Sequence, residues 1–566
     1  MSFTMKKGLA LSCAAALLLA SAACSSAKNN AQTEGSASPQ ATATTSSQPS
    51  DSAAATGKYD PPITLTTVRA NDTALFTEGQ TMDKNAIYDA YEQDLGITLK
   101  NNWVVDTKEY DSKLKISIAA NDLPDFFKVS AEDLPRLVES DMVMDLTEVF
   151  EQYASEETKK LVVSDGGKQM QSATFDGKLM AIPQTNSPFN AASFVWVRQD
   201  WLQEMNLPEP KTMQDLLQIS EAFASRNTGG KGKAFGLGLD KDQIGSPIGF
   251  LNGYHAYPGQ WVKDSSGKLV YGSTQPEVKT ALKQLQDMYK AGQIDPEVAV
   301  NDNAKMLEQV SNDRVGMLFG AFWYSAAMQD AVVKDGKVTQ EWGVYTIPSV
   351  DGDPAMSQVS ASVASYYVVN KNAEHPEAVM KVLNQWVDAL LGGKPADGDP
   401  RAVYSFGKEL KDMGNEAWAI NPLTIFIQDL YVQGGQHLGK ALDTGDTSAI
   451  EWSGDLKNRY DQVKKFEAGD TTFWYQVDIA GKGGAFEKMY EYSQQNRYHF
   501  DEFYGVATPT MAERGDLLKT KEQEVFTKII IGAASIDEFD KFVADWTKLG
   551  GDKITEEVNE WHASRQ

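Results

Sequence analysis

Cysteine is almost missing from this chain: the 566 residues hold only Cys13 and Cys24. Cys13 falls inside an apolar N-terminal run, so the chain beyond that run has one thiol and no internal disulfide. A nucleophilic-cysteine enzyme is thereby excluded. Histidine is scarce as well. His255, His375, His437, His499 and His562 stand far apart, so no local pair has metal-ligand spacing, and a zinc site would have to be assembled from distant segments. There is no Gly-x-x-x-x-Gly-Lys-Ser/Thr phosphate loop and no Gly-x-Ser-x-Gly elbow. The Gly229-Gly230-Lys231-Gly232-Lys233 run lacks the spacing and the hydroxyl, and reads as a solvated turn. Positive charge is outweighed, 53 basic against 78 acidic residues for a net charge of −25, and no basic stripe interrupts it. Such a surface repels phosphate, so nucleic acid and anionic lipid are poor partners. Carboxylates are plentiful. A two-carboxylate glycosidase leaves no local spacing rule, so composition leaves that class open.

The N-terminus has three zones: Lys6 and Lys7, an apolar run from Leu9 to Ala20, and small residues Ser21, Ala22 and Ala23 before Cys24. The run is too short to span a bilayer. A plain secretion signal also ends in small residues, yet this pattern resembles a bacterial lipoprotein signal, in which the thiol after the cut takes a diacylglyceryl group. Ser21 departs from it, standing where leucine or valine is usual. The resemblance implies a signal peptide over 1–23 and lipidation of Cys24, placing the protein outside the cell on a membrane anchor. Residues 24–58 follow as a tether. From Ser25 to Lys58 the chain is mostly Ala, Ser, Thr, Gln, Gly, Asn and Pro, too polar to bury surface, with a span of roughly 30 Å as a flexible coil.

Tyr59 to Gln566 exceeds the ~250–300 residues at which a single core stops growing, so at least two lobes are expected. Short β-branched runs predict strands at Ile63 to Val68, Ile97 to Leu99, Phe194 to Val197, Val344 to Ile347 and Tyr366 to Val369. Helices interleave with them. Pro276 opens one with Val278, Leu282, Leu285 and Tyr289 on a single face and Gly292 as its stop; Pro376 opens another with Val379, Leu383, Trp386 and Leu390. Near the end, Ser535 and Glu538 have capping-box spacing ahead of Phe539, Phe542, Val543 and Trp546, and Gly550 terminates that helix. No 20–50-residue repeat is present. The expected class is α/β, with two lobes each built on an open sheet flanked by helices.

Several segments then carry a family resemblance in a fixed order. They are YDSKLKISIAANDLPDFF (Tyr110 to Phe127), FDGKLMAIP (Phe175 to Pro183), VRQDWLQEMNLPEPKTMQDL (Val197 to Leu216), LKQLQDMYKAGQIDPE (Leu282 to Glu297), HPEAVMKVLN (His375 to Asn384) and FDKFVADWTKLGGDKITEEVNEW (Phe539 to Trp561). Together they resemble extracellular solute-binding proteins, in particular the large lipoprotein branch that serves carbohydrate ABC importers in Gram-positive bacteria. The resemblance implies a two-lobed periplasmic-binding-protein fold with ligand in the cleft between lobes. It implies crossings near Pro183 to Pro188, near Tyr366 and Tyr367, and around Ile420 to Gly434. Lobe 1 is then 59–185 plus 366–430, and lobe 2 is 186–365 plus 431–566. It also implies a monomer that closes on ligand and docks on the importer's membrane subunits.

Pyranose rings offer apolar C–H faces to indole and phenol rings, while their hydroxyls need planar polar partners. Most of the 12 Trp and 21 Tyr fill cores. Those in loop-like stretches are expected to be partly exposed: Tyr254, Tyr257 and Trp261 in NGYHAYPGQW, Phe322, Trp323 and Tyr324 in GAFWYSA, and Trp474 with Tyr475 in GDTTFWYQ. Trp323 is the preferred stacking residue, since relatives carry one after the Val-Gly-Met strand; a core position is its alternative, as it is for Trp261 and Trp474. Asp125 either caps a helix or accepts sugar hydroxyls. Asn186 and Tyr367, at the crossings, complete the candidate ligand contacts. Some relatives insert a calcium loop where this chain has SRNTGGKGKAFGLGLD, which offers too few hard oxygen ligands, so neither a metal nor another cofactor is expected. Three readings follow: an oligosaccharide receptor for an ABC importer, a receptor for a peptide or other polar solute in the same fold, and an extracellular polysaccharide-active enzyme.

Overall fold

The computed structural model describes residues 57–71, 79–361, 363–391 and 417–564. Cys24, the signal segment and the tether up to residue 56 lie outside the described residues. Among the described residues, no helix is long and apolar enough to cross a membrane.

Buried apolar side chains gather into three clusters. The first draws on Leu65 through Ile182 and again on Val363 through Ile427. Its framework is a parallel pair, Ile63–Ala70 beside Ile97–Val105, and an antiparallel sheet in which Ser365–Val369 lies between Phe126–Ser130 and Ile182–Pro183. The helix Pro376–Leu391 lays Val379, Leu383, Trp386 and Leu390 on this core, with the stripe expected of 3.6-residue spacing. Buried Trp386 also satisfies its indole N–H, donating to the Ile425 carbonyl at 2.7 Å.

The strand Phe194–Arg198 shows why its sequence reads as unbroken apolar. It is the centre of a sheet between Met317–Gly320 and Trp342–Tyr345, both antiparallel to it. Its residues alternate between two cores: Val195 and Val197 enter the second cluster, Phe194 and Trp196 the third. Met317 and Phe319 against Leu318 repeat that division one strand away. With both faces covered, no position on the strand is left for a polar side chain except at its end. There Arg198 is buried with Asp200 and Asp313 as ion-pair partners at 2.6 and 2.7 Å.

The chain leaves the first cluster between Ile182 and Ala192, re-enters between Val359 and Val363, and leaves again between Ile427 and Val432. In the third cluster the helix Leu430–Thr444 approaches Ala485–Gln494 through Gly435, where a Cβ would sit 1.9 Å from the Phe486 carbonyl oxygen. Only glycine allows that approach. The helix Pro276–Lys290 buries Val278, Leu282 and Leu285 in the second cluster, and its Gln286 donates to the Ile529 carbonyl of Pro509–Ile530 at 2.7 Å.

The last helices depart from the sequence expectation in one respect. Helix Glu538–Trp546 begins at Glu538 itself, so that residue occupies the first helical position and not the third, and the capping box does not form. Ser535 Oγ instead accepts from the Asp537 amide at 3.3 Å. Gly550, with φ of 122°, does break the helical run, and Asp552–Ala563 follows.

Candidate functional site

Trp323 follows the strand Met317–Gly320 and stands just ahead of helix Tyr324–Val332, with 50 % of its surface exposed. It is the one exposed large aromatic among the described residues. The expectation that its companions are also partly exposed fails for most of them. Tyr254 stacks on Phe250 at 5.5 Å inside the second core. Trp261 packs 5.5 Å from Tyr271 and 6.5 Å from Trp546 in the same core. Tyr324 is buried in the third core, its hydroxyl accepting from Asn303 Nδ2 at 3.2 Å, and Trp474 lies in that core at 4 % exposure. For two of them the partners come from far along the chain: Trp546 of helix Glu538–Trp546 packs on Trp261, and helix Trp474–Ala480 shares the third core with Tyr324.

Asp125 neither caps a helix nor stands open. It precedes the strand Phe126–Ser130, and its Oδ2 accepts from both the amide and the hydroxyl of Thr66, at 2.7 and 2.6 Å, while its own amide donates back to Thr66 Oγ1 at 2.9 Å. The residue clasps two neighbouring strands.

Asn186 has its backbone held by Gln169, which accepts from its amide at 3.1 Å and donates to its carbonyl at 3.0 Å. It lines a cavity of about 370 Å³ together with Phe426, Leu430 and Tyr431. Ser187 and Asn190 line the same cavity, and Ser187 Oγ and Asn190 Oδ1 are buried there without a hydrogen-bond partner.

Tyr367 lines a second, more polar cavity of about 140 Å³. In register it lies opposite Lys128 on one side and Ile182 on the other, so a single strand brings Tyr367 and Lys128 to one spot. The Tyr367 hydroxyl accepts from Gln184 Nε2 and from the Thr424 amide, both at 3.1 Å, and Gln184 Nε2 also donates to Thr424 Oγ1 at 2.8 Å. Burial raises the pKa of the Tyr367 hydroxyl, keeping it neutral. Arg69 closes the pocket. Its Nη1 donates to the Ile420 carbonyl at 2.8 Å and its Nη2 to the Ala419 carbonyl at 2.9 Å, which fixes the plane of the guanidinium. The parallel pair is irregular beside it: Thr67 faces Asn101 but Arg69 faces Val104, so the partner strand carries one extra residue at this point. Bulges of this kind re-aim side chains near functional sites.

The structure therefore brings Tyr367 into one cavity and Asn186 into another, while Asp125, Tyr254, Trp261, Trp323, Tyr324 and Trp474 line neither. Sequence reasoning missed Arg69, Lys128, Gln184 and Thr424. Arg69 had a signal, a cation at the end of the otherwise uncharged strand ITLTTVRA. The polar pocket sets neutral hydroxyl and amide groups beside Arg69 and Lys128. Among the described residues no group of three His, Cys, Asp or Glu side chains is arranged to hold a metal ion.

Residues 73–388 match the family described as bacterial extracellular solute-binding protein. Over 471 residues the chain is 22 % identical to the polygalacturonan/rhamnogalacturonan-binding protein YtcQ of Bacillus subtilis, covering 81 % of this chain and 84 % of that one. It is also 22 % identical to the lipoprotein LipO of Bacillus subtilis, over 85 % of this chain and 89 % of LipO. A solved solute-binding protein of Bifidobacterium longum infantis, associated with an ABC transporter and binding HMO, superposes with a TM-score of 0.58 at 14 % identity, over 89 % of this chain and 98 % of that one. At that identity the likeness is one of fold.

Proposed function

Because this chain belongs to the family of bacterial extracellular solute-binding proteins, we propose that it is the lipid-anchored receptor of an ABC importer, capturing an oligosaccharide outside the cell and handing it to the membrane permease. The observation that carries the reading is the polar pocket, where hydroxyl and amide groups of Tyr367, Gln184 and Thr424 converge from three chain segments around a space open to a small polar ligand. Neutral, fixed donors and acceptors of this kind match sugar hydroxyls, which gain little from a lone charge and much from several aligned hydrogen bonds. Trp323 adds an exposed indole for the apolar face of a pyranose. The polygalacturonan/rhamnogalacturonan binding named for YtcQ and the lipoprotein character named for LipO both agree with it.

In this reading, lobe 1 comprises 59–185 and 366–430, lobe 2 the remainder, and closure of the cleft presents a joint surface to the permease. Ligand favours the closed form only through its higher affinity for that form. No chemical step is assigned: the protein binds and releases. Cys24 carries the lipid.

Calorimetry of the full-length protein against panels of oligosaccharides and of peptides tests the receptor. An oligosaccharide ligand present at 100 times its dissociation constant adds about 2.7 kcal/mol to apparent stability, read as a rise in melting temperature. Binding of peptides and of no oligosaccharide would overturn the assignment. For the anchor, Cys24→Ser is expected to leave the membrane fraction. Equal retention of mutant and parent would refute lipidation.

A further inference from the structure

The short helix Lys168–Ser172 stands on the first core, with Met170 packed against that core and Ala173 inside it. Its start is fixed locally. Gly167 takes a φ of 82°, which glycine adopts freely, and the Asp165 carboxylate accepts from the Gly167 and Gln169 amides at 2.8 and 3.0 Å. Lys168 and Gln171, three residues apart, therefore share one face of the helix. That face meets residues 498–504, which belong to the other two cores: Phe503 is buried in the second, and Tyr498 and Phe500 pack against the third. Lys168 Nζ sits 4.0 Å from the centre of the Phe500 ring, and the Tyr504 hydroxyl donates to Gln171 Oε1 at 3.0 Å. Each side of this contact is also anchored in a crossing. Gln169 holds the backbone of Asn186 in the first crossing. Strand Tyr498–Phe500 pairs in parallel with Ser357–Val359, which leads into the second, and the Asp501 amide donates to the Val359 carbonyl at 3.1 Å.

We propose that Lys168 and Gln171 of one lobe and Phe500 and Tyr504 of the other form a reversible clasp beside the crossings, holding the lobes at one angle and releasing when they rotate; the inference rests on the lobe closure of the receptor reading and adds a device that regulates it. An O–H···O bond spans roughly 2.5–3.0 Å, so a rotation that parts the two sides by about 1 Å breaks it. The contact is then either engaged or free, and it weights one lobe angle over the others. Its strength suits release. Gln171 is exposed and Tyr504 part-buried, so water replaces each group's partner at little cost when the clasp opens. Lys168 is more committed. Burial pulls its pKa down, the mark of a partly desolvated ammonium, and a ring face attracts such a cation more strongly than a hydrated one. The carboxylates of Glu502, Asp165 and Asp501 act against that shift, while Lys263 adds to it. The aromatic side is placed without the clasp: the Tyr504 ring meets Trp561 edge-on at 4.9 Å, and the Tyr498 ring lies 4.6 Å from Phe189 of the first crossing. The hydroxyl and the ammonium are thus the parts that act between lobes.

The test is a pulsed-EPR distance measurement on the full-length protein with no sugar added. Cys13→Ser and Cys24→Ser clear the native thiols. Nitroxides are then placed at Thr280→Cys, on the second core's helix Pro276–Lys290, paired in turn with Lys160→Cys and Glu132→Cys on the first lobe; all three positions are exposed. One lobe angle is expected to dominate in the parent. Tyr504→Phe keeps the ring on Trp561 and drops only the hydroxyl, and is expected to change the ratio of the two distance populations by roughly 2- to 10-fold. Lys168→Met should act in the same direction, and the double variant should exceed either alone. Melting temperatures are recorded beside the distances, and Tyr504→Phe carries the test if the double variant does not fold. Parent-like distances in both label pairs, with or without a fall in melting temperature, would reduce these residues to packing and overturn the clasp while leaving the receptor reading standing. Failure of every oligosaccharide in calorimetry, with distances that do respond to Tyr504→Phe, would overturn the receptor and leave the clasp.

Discussion

The tripeptide Phe-Trp-Tyr occurs twice in this protein, at 322–324 and 473–475, with opposite outcomes. In the first copy the tryptophan is half exposed and the tyrosine buried; in the second the tryptophan is buried and the tyrosine partly so. The difference is one residue of helix phase. Helix Tyr324–Val332 starts at the tyrosine and leaves Trp323 outside it, whereas helix Trp474–Ala480 starts at the tryptophan. In both copies the aromatic at the first helical position is buried in the third core, joined in the first copy by Phe322. Asp470 explains the earlier start: its side chain accepts from the Thr472 amide at 3.1 Å and fixes a 3₁₀ turn, Thr471–Phe473, that feeds straight into the helix. No such residue precedes Phe322, where the chain reads Phe319-Gly320-Ala321. Which of the three aromatics stands at the first helical position thus follows from where each helix starts, and not from how loop-like its surroundings read.

The two copies are also joined. Gln329 Nε2 donates to the Thr471 carbonyl at 3.0 Å, the Tyr475 amide donates to Gln329 Oε1 at 3.1 Å, and Ser325 Oγ donates to the Tyr475 carbonyl at 3.0 Å. Each helix start therefore supports the other.

The strongest way to break the comparison is Trp474→Ala. Removing a buried indole leaves a cavity, with an expected loss of about 3–5 kcal/mol of unfolding free energy in urea titration. A loss below about 1 kcal/mol would mean that Trp474 is not part of the core.

Asp478, one turn further along the same helix, gives a pH signature. One of its carboxylate oxygens is buried without a partner, and burial pushes its pKa up to about 8 from an ordinary value of 3.8. Between those values the native state holds a proton that the unfolded chain has released, so stability falls as pH rises from about 4 to about 8. Asp478→Asn should remove that slope. Melting temperatures of variant and parent are then expected to agree near pH 4 and to diverge by pH 8–9, with the variant higher; parallel profiles would show that Asp478 is ionised in the fold.

Gln329→Leu sharpens the link between the copies. It strands the Tyr475 amide and the Thr471 carbonyl in a half-buried place, at about 1–3 kcal/mol. The same substitution in a Trp474→Ala background should cost less than it does alone, because the helix start it supports is already loosened. Strict additivity would argue that the two helix starts are independent.

What could be read from the sequence divides along the same line. The Pro276 and Pro376 helices and four of the five strand runs follow local rules of spacing and punctuation, and the structure has them where those rules put them, while the run expected at Val344 to Ile347 lies two residues earlier, at Trp342–Tyr345. The family order of segments was equally legible. Exposure was not: Trp261, Tyr324 and Trp474 are buried against elements separated in sequence, and no window of residues reports that. The polar pocket is harder still. Arg69, Lys128, Tyr367 and Thr424 come from four segments and meet only through strand pairing, so Tyr367 could be named from its crossing strand while its neighbours could not.

Trp323→Ala has the smallest expected effect on the unliganded fold and the most informative one on binding. The indole is half exposed, sits outside the helix, makes no capping bond, and meets Tyr324 only at 5.9 Å between ring centres, so its removal should change stability by no more than about 0.5 kcal/mol. If it stacks on a pyranose in the closed protein, its loss removes a desolvated contact of roughly 2–4 kcal/mol, a weakening of about 30- to 1000-fold in calorimetry. The two measurements on one variant separate the possibilities, because a core role and a ligand role predict opposite pairs of numbers. A melting temperature unchanged together with an unchanged affinity would remove Trp323 from the binding surface and leave the recognition of sugar to the polar pocket alone. Trp474→Ala, run beside it, supplies the contrast: the same residue type in the same tripeptide, one phase step apart, expected to lose stability before it loses affinity.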